Sequence, residues 1–120
     1  RVFLEWWPKP VTTPGAHCWT TEMIEIAGGA NVFADIDARS RPIETHAVIE
    51  RAPDLLLTCW CGVPHANQKP AKLATRPGWG AIPGVVAGQL HAAEECLFGR
   101  PGPRLVEGVE WLHERIAAWA

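Results

Sequence analysis

Behind Pro53-Asp54 the chain runs Leu55-Leu56-Leu57-Thr58-Cys59-Trp60, an apolar stretch with almost no polar break. Neighbouring residues on a strand face opposite sides, so such a run needs apolar cover on both faces of its sheet. The segment is therefore expected to be a central strand. Val2-Phe3-Leu4 has the same character and predicts a first short buried strand over residues 1–6.

The segments between these strands carry the other period. Trp19, Met23, Ile26 and Ala27 recur at helical spacing with Glu22 and Glu25 opposite, and Gly28-Gly29 supplies a left-handed stop. Asn31 to Phe33 is a brief extended piece, and Asp35 to Pro42 reads as a polar loop. A second helix is expected from about Ile43 to Ala52, with Val48, Ile49 and Ala52 on its apolar side and Pro53 as its end. Gly62-Val63-Pro64 marks a turn, and His65 to about Ala74 is weakly helical, with Pro70 interrupting it. A loop rich in Pro and Gly leads to a third strand near Gln89 to Ala93. Leu105, Val109, Leu112, Ile116 and Trp119 then outline a long amphipathic helix whose start is set by Pro101 and Pro103. The Pro8, Pro10 and Pro14 cluster is expected to exclude regular structure up to about Gly15.

Strands alternating with helices imply a three-layer α/β/α arrangement around a mostly parallel central sheet. With 120 residues there is room for one such core. Ligands of open parallel sheets sit beyond the carboxyl ends of the strands. Here those ends are Trp7 to His17, Cys61 to His65 and Glu94 to Gly102, where aromatic, sulfur, His and Arg residues gather.

Net charge and hydropathy exclude several partners. The formal charge of -2 leaves no basic footprint for nucleic acid or for an anionic membrane surface. No apolar run approaches the roughly 20 residues of a membrane helix. The chain opens at Arg1, directly on a strand, and reads as a processed or excised segment.

The chemistry-bearing residues point away from catalysis. Cys18, Cys59, Cys61 and Cys96, with His17 and His65, could converge at one edge as zinc ligands, but they lack paired C-x-x-C spacing. Buried thiols or a Cys61 to Cys96 disulfide are the plainer readings, and the state of all four cysteines stays open. Cys61 and His65 have no nearby orienting carboxylate and no G-x-S-x-G elbow exists, so a Cys/His hydrolase is weakly supported. Gly78 and Gly80 lack the rest of a dinucleotide fingerprint. Arg100 and Arg104 put two cations at the start of the last helix, as a capping turn or as a contact for an anion.

The aromatics are more telling. Seven Trp are present, and each can bury about 200 Å², an upper bound of roughly 5 kcal/mol. Trp19 and Trp119 lie on apolar stripes and are expected in the core, with Trp111 beside its stripe. Trp6, Trp7, Trp60, Trp79 and Phe98 lie at strand ends or in loops, where several together would make a flat wall for a large planar ligand. Trp6 and Trp7 point to opposite faces of their strand, so one is expected in the core and the other, assigned to Trp7, on the cleft.

The order of FLEWWPKP, TEMIEIAGGANVFAD, VIERAPDLLL, RPGWGAIPGVVAGQLHA and LFGRPGPRLVEGVEWL resembles the carboxyl-terminal lobe of class III substrate-binding proteins of ABC importers, the cobalamin and ferric-siderophore group. The resemblance covers essentially all 120 residues, and AGGANVF and FGRPGPRLVEGVE are its more specific pieces. It implies one half of a two-lobe protein. The amino-terminal lobe and the connecting helix would lie upstream of Arg1, and the full-length form would be a periplasmic or extracellular lipoprotein.

The same resemblance implies that Trp6, Trp7, Pro8, Trp60, Cys61, Gly62, Phe98 and Arg100 face the ligand. That ligand would be a corrinoid of the cobalamin type, with a ferric siderophore or haem as the alternative; outside the resemblance, a metal or thiol enzyme using Cys61 and His65 is the second alternative. No covalent cofactor, resident metal or catalytic residue is implied. The partner would be an ABC permease dimer, docked through a surface acid near the start of the second helix. That acid falls on His46 here, with Glu44 two residues earlier. An exposed tryptophan face also gives an isolated lobe a surface for self-association.

Overall fold

Every residue of β1 (Val2–Glu5) and β5 (Leu55–Thr58) is buried, as two apolar runs require. The computed structural model describes residues 1–60, 62–93 and 104–119, and it pairs these strands in parallel, Val2 with Leu55 through Glu5 with Thr58. β6 (Leu90–Ala92) lies parallel on the other side of β5, giving the order β1-β5-β6 with the LLLT run central. Asn31 adds a parallel bridge to Val2, the expected extended piece after the first helix.

The strand pleat sorts the core into two halves. Val2, Leu4, Leu55 and Leu57 face α1 (Trp19–Ile26) and α4 (Leu105–Trp119), where they meet Met23, Ile24, Ala27 and Leu112. Phe3 and Leu56 face the other way, toward Val48 of α2 (Thr45–Arg51), Leu73, Trp79 and Ile82, beside α3 (Pro83–Val86). Phe3 sits edge-on to both Phe33 and Trp79, with centroids 6.1 and 5.8 Å away. Cover on both faces is the three-layer arrangement that the sequence predicts. The second face is built largely of short 3₁₀ turns, His65–Asn67, Pro70–Thr75 and Trp79–Ala81, because Pro64, Pro70, Pro77 and Pro83 interrupt every longer helix there.

The expectation for the proline-rich stretch was wrong. β2 (Trp7–Pro8) and β3 (Val11–Pro14) form a hairpin through a cis Lys9–Pro10 bond, and β4 (Ser40–Pro42) pairs with β3 where a polar loop was expected. Proline is tolerated at strand ends and sheet edges, and Pro8, Pro14 and Pro42 all occupy terminal positions of this small antiparallel sheet. The hairpin is tied to the main sheet by Trp6 N donating to Thr12 O (2.7 Å) and Thr13 Oγ1 donating to Leu4 O (2.9 Å).

A second correction concerns Ile26, which is 68% exposed. The buried stripe of α1 runs through Thr20, Thr21, Met23 and Ile24, because two threonines take core positions that hydrophobicity alone does not mark. The AGGANVF segment is explained by its contacts. Gly28 ends α1 at φ +101°, a region that favours glycine. Asn31 is buried, donating through Nδ2 to Pro14 O (3.0 Å) and Thr21 Oγ1 (2.8 Å) while its Oδ1 accepts from Phe33 N (2.9 Å).

Candidate functional site

At the carboxyl end of β1 the two tryptophans part. Trp6 follows the parity of Leu4, joins the α1/α4 half of the core at 8% exposure and lies 6.4 Å from the Trp19 ring. Trp7 is 42% exposed and stands at the head of the hairpin. Between them opens a pocket of about 270 Å³ lined by Trp6, Trp7, Thr12, Cys18, Trp19, Arg39 and Ser40. Three indoles thus share the lining of an open cavity with the polar side chains of Thr12, Ser40 and Arg39.

The charge around this pocket has one sign. Lys9, Arg39 and Arg41 are exposed on or beside the hairpin sheet, and residues 6–19 and 38–43 contain no acid at all. Nearby Asp37 is held by His17 Nε2 at 2.6 Å. The Arg39 guanidinium, by contrast, has no ion-pair partner among the described residues.

A polar layer lies directly behind. Glu5, the last residue of β1, is fully buried. Its Oε1 accepts from Arg76 Nη1 at 2.6 Å, and its Oε2 accepts from Arg76 Nη2 at 3.0 Å and from Trp60 Nε1 at 2.8 Å. Gln68 holds the main chain of Trp60 from both sides, accepting from its N–H at 3.1 Å and donating to its carbonyl at 3.2 Å. A third bond from Gln68 Nε2, to Val63 O at 3.1 Å, closes the turn after β5.

No protein-family model matches the chain. Among curated proteins it is 32% identical over 116 residues to an uncharacterized ABC transporter substrate-binding lipoprotein of Bacillus subtilis, YvrC, covering 96% of this chain and 35% of that protein. It is 25% identical over 111 residues to the vitamin B12-binding protein of Vibrio cholerae, covering 92% and 38%. The solved structure of the periplasmic heme-binding protein BhuT, in complex with two hemes, superposes with a TM-score of 0.80 at 30% identity, over 99% of this chain and 44% of that one. The periplasmic vitamin B12 binding protein BtuF of Vibrio cholerae shares the fold, with a TM-score of 0.78 at 23% identity, over 99% and 44%. Its homologues and structural neighbours are class III periplasmic binding proteins of ABC transporters. It spans 35 to 44% of the length of these four proteins, a share that fits one lobe. Class III relatives of this kind are substrate-binding components of transport systems and not enzymes.

Beside these relatives, the residues singled out from sequence fall into three groups. Trp6, Trp7 and Pro8 cluster at the pocket or on its hairpin, and Trp60 and Gly62 lie at the end of the neighbouring strand, with Trp60 9% exposed and Gly62 exposed. Glu44 and His46 are exposed at the start of α2, and the Glu44 carboxylate does not cap that helix. Cys61, Phe98 and Arg100 lie outside the described residues, as does Cys96. Cys18 is a buried free thiol on the pocket wall, and Cys59 is fully buried. Among the described residues no three His, Cys, Asp or Glu side chains are placed to hold a metal ion, and no helix is long and apolar enough to cross a membrane.

Several contributors were not found by reading the sequence. Trp19 was assigned to the core, yet it is half-buried and walls the pocket from the first turn of α1. Arg39, Ser40 and Thr12 reach the site through the β3–β4 pairing, which joins positions 26 to 30 residues apart and has no local signal. Glu5 did carry a signal, as the one charged residue in VFLEWW, where burial demands a partner.

Proposed function

We propose that this chain is the carboxyl-terminal ligand-binding lobe of an extracytoplasmic binding protein, a lipoprotein in its full-length form, that delivers a corrinoid of the cobalamin type to an ABC permease dimer. The observation that carries this reading is the tryptophan-walled pocket at the carboxyl edge of a parallel sheet, in a chain related to vitamin B12-binding proteins over nearly all its length. A flat apolar ring face stacks on indoles at little entropic cost, since each tryptophan has only two side-chain torsions to fix. Trp7 would make the main contact, with Trp6, Pro8, Trp60 and Gly62 completing the described part of the wall and Cys61, Phe98 and Arg100 the remainder. Glu44 and His46 would meet the permease.

A second reading is favoured by a specific observation. Arg39 lines the pocket without an ion-pair partner among the described residues, and Lys9 and Arg41 are exposed on or beside the same small sheet, positive charge that suits an anionic ligand such as a ferric siderophore or haem. Equilibrium dialysis of the full two-lobe protein against cyanocobalamin, haemin and ferric hydroxamate chelates decides between them. Retention of cyanocobalamin at low micromolar concentration or below, undisplaced by the iron compounds, is expected. Retention of an iron compound alone transfers the assignment to the second reading, and retention of none removes both.

A further inference from the structure

Resting on the reading of this edge as the ligand face, we propose that Glu5 is its positioning residue, whose buried carboxylate fixes the Trp60 ring and with it the turn that follows β5. Glu5 does not meet the ligand. It stands one residue behind Trp6 and two behind Trp7, and it reaches sideways to the neighbouring strand end, so both parts of the ligand edge are referred to one carboxylate.

The geometry is that of a brace. Trp60 has its indole N–H on Glu5 and its main-chain N–H and C=O on Gln68, so ring and backbone are held independently. The other partner of Glu5 is equally fixed, because the Arg76 guanidinium lies 4.6 Å over the Trp79 ring, which is itself packed edge-on to Phe3 in the core. A continuous path of contacts therefore runs Phe3, Trp79, Arg76, Glu5, Trp60, Gln68. The exposed residues Gly62 and Pro64 ride on the turn at its end. At 9% exposure Trp60 gives the ligand wall little ring surface, so its larger contribution is the placement of that turn.

Energetics favour a positioning role over a stabilising one. Burying a carboxylate and a guanidinium costs desolvation that their attraction only roughly repays, and apolar replacements of buried ion pairs are often neutral or better for stability. What an apolar pair cannot supply is a directional acceptor for the indole N–H. The buried pair is thus expected to matter for affinity more than for folding.

Two double variants of the full-length protein separate these roles. Glu5→Gln with Arg76→Leu removes both charges but keeps a carbonyl acceptor for Trp60. Glu5→Leu with Arg76→Leu removes the acceptor as well. The Trp60 indole proton, assigned by its loss in Trp60→Phe, is followed by hydrogen exchange in ¹H–¹⁵N spectra, and affinity is measured for cyanocobalamin and haemin. The first variant is expected to keep indole protection and affinity near wild type. The second should lose protection and weaken binding by about tenfold, the worth of one hydrogen bond to a charged group. Equal exchange and equal affinity in the two variants would overturn the proposal. Should the second variant not fold, Trp60→Phe, which deletes the donor together with part of the ring, must show at least the same loss of affinity, and wild-type binding there overturns it equally. A wild-type protein that holds neither probe defeats the functional reading, while the indole exchange still decides the role of Glu5.

Discussion

Trp7→Ala in the intact two-lobe protein is the sharpest test of the ligand face. Trp7 is 42% exposed. A tryptophan side chain offers up to about 250 Å², so roughly 100 Å² is open to a ligand. At about 25 cal/mol/Å² that area is worth up to about 2.5 kcal/mol, or about 70-fold in affinity. Costs of association that are common to wild type and variant cancel in the comparison, so the difference is firmer than either absolute value. Trp6→Ala is the built-in control. At 8% exposure its ring has only about 20 Å² to give a ligand, worth about 0.5 kcal/mol, whereas removing a core indole costs about 3–5 kcal/mol of stability. Adjacent tryptophans should therefore split, Trp7→Ala moving the dissociation constant and Trp6→Ala moving the melting temperature. Titration calorimetry with the retained ligand, beside thermal unfolding, reads both. An affinity unchanged within about twofold in Trp7→Ala, at an unshifted melting temperature, would refute the assignment of Trp7 to the cleft.

Three further outcomes concern the scaffold. Asn31→Leu leaves Pro14 O and Phe33 N without their buried partner and should cost about 2–4 kcal/mol in urea unfolding, and a loss below about 1 kcal/mol would contradict the network. Gly84→Ala would put a Cβ 2.5 Å from Leu56 Cδ1 and 2.7 Å from Asp54 O, so it should destabilise by about 1–3 kcal/mol, while Gly80→Ala, with nothing within 4 Å, should be neutral by the same assay. Burial, then the nearby Arg115 charge, hold His91 below its ordinary pKa, with Gln89 and the Trp111 ring as its other neighbours. The unfolded chain therefore binds the extra proton first, and stability falls as pH drops below about 6.5, levelling off below the lowered value. His91→Gln should flatten that part of the melting-temperature profile between pH about 8 and 5, and parallel profiles would refute the assignment.

What could be read in advance follows from the range of the forces involved. LLLT and VFL announce buried strands because cover on both faces leaves no other placement for such runs, and α4 is marked by its period. The hairpin is not marked, because the local rule that proline breaks structure competes with a non-local fact, the arrival of Ser40–Pro42 as a partner for β3. The division of labour between Trp6 and Trp7 is likewise invisible along the chain, since both faces of β1 are apolar. It is decided by α1, which brings Trp19 to the Leu4 side and gives Trp6 a partner there. Arg76 lies 71 residues from Glu5, and nothing near either residue names the other.

The shape of the pocket bears on how such a lobe could work. Enclosed ligand sites run to about 300–1,000 Å³ and bury most of the ligand, whereas the cavity beside Trp7 holds about 270 Å³ and opens to solvent. A ring system the size of a corrin or a porphyrin could lay one face on these indoles and leave the other wet. Tight binding on the proposed reading then needs a second surface to close over the ligand, and the lobe alone should bind weakly. The wall also has a short route outward. Arg39 lines the pocket, β4 follows at once, Ile43 N bonds to Val11 O of the hairpin at 2.8 Å, and Glu44 opens α2. Four residues thus separate a side chain on the proposed ligand face from one on the proposed permease face, and the strand between them is hydrogen-bonded to the hairpin that begins at Trp7. A displacement of the hairpin by ligand would be carried to the start of α2 through these backbone bonds.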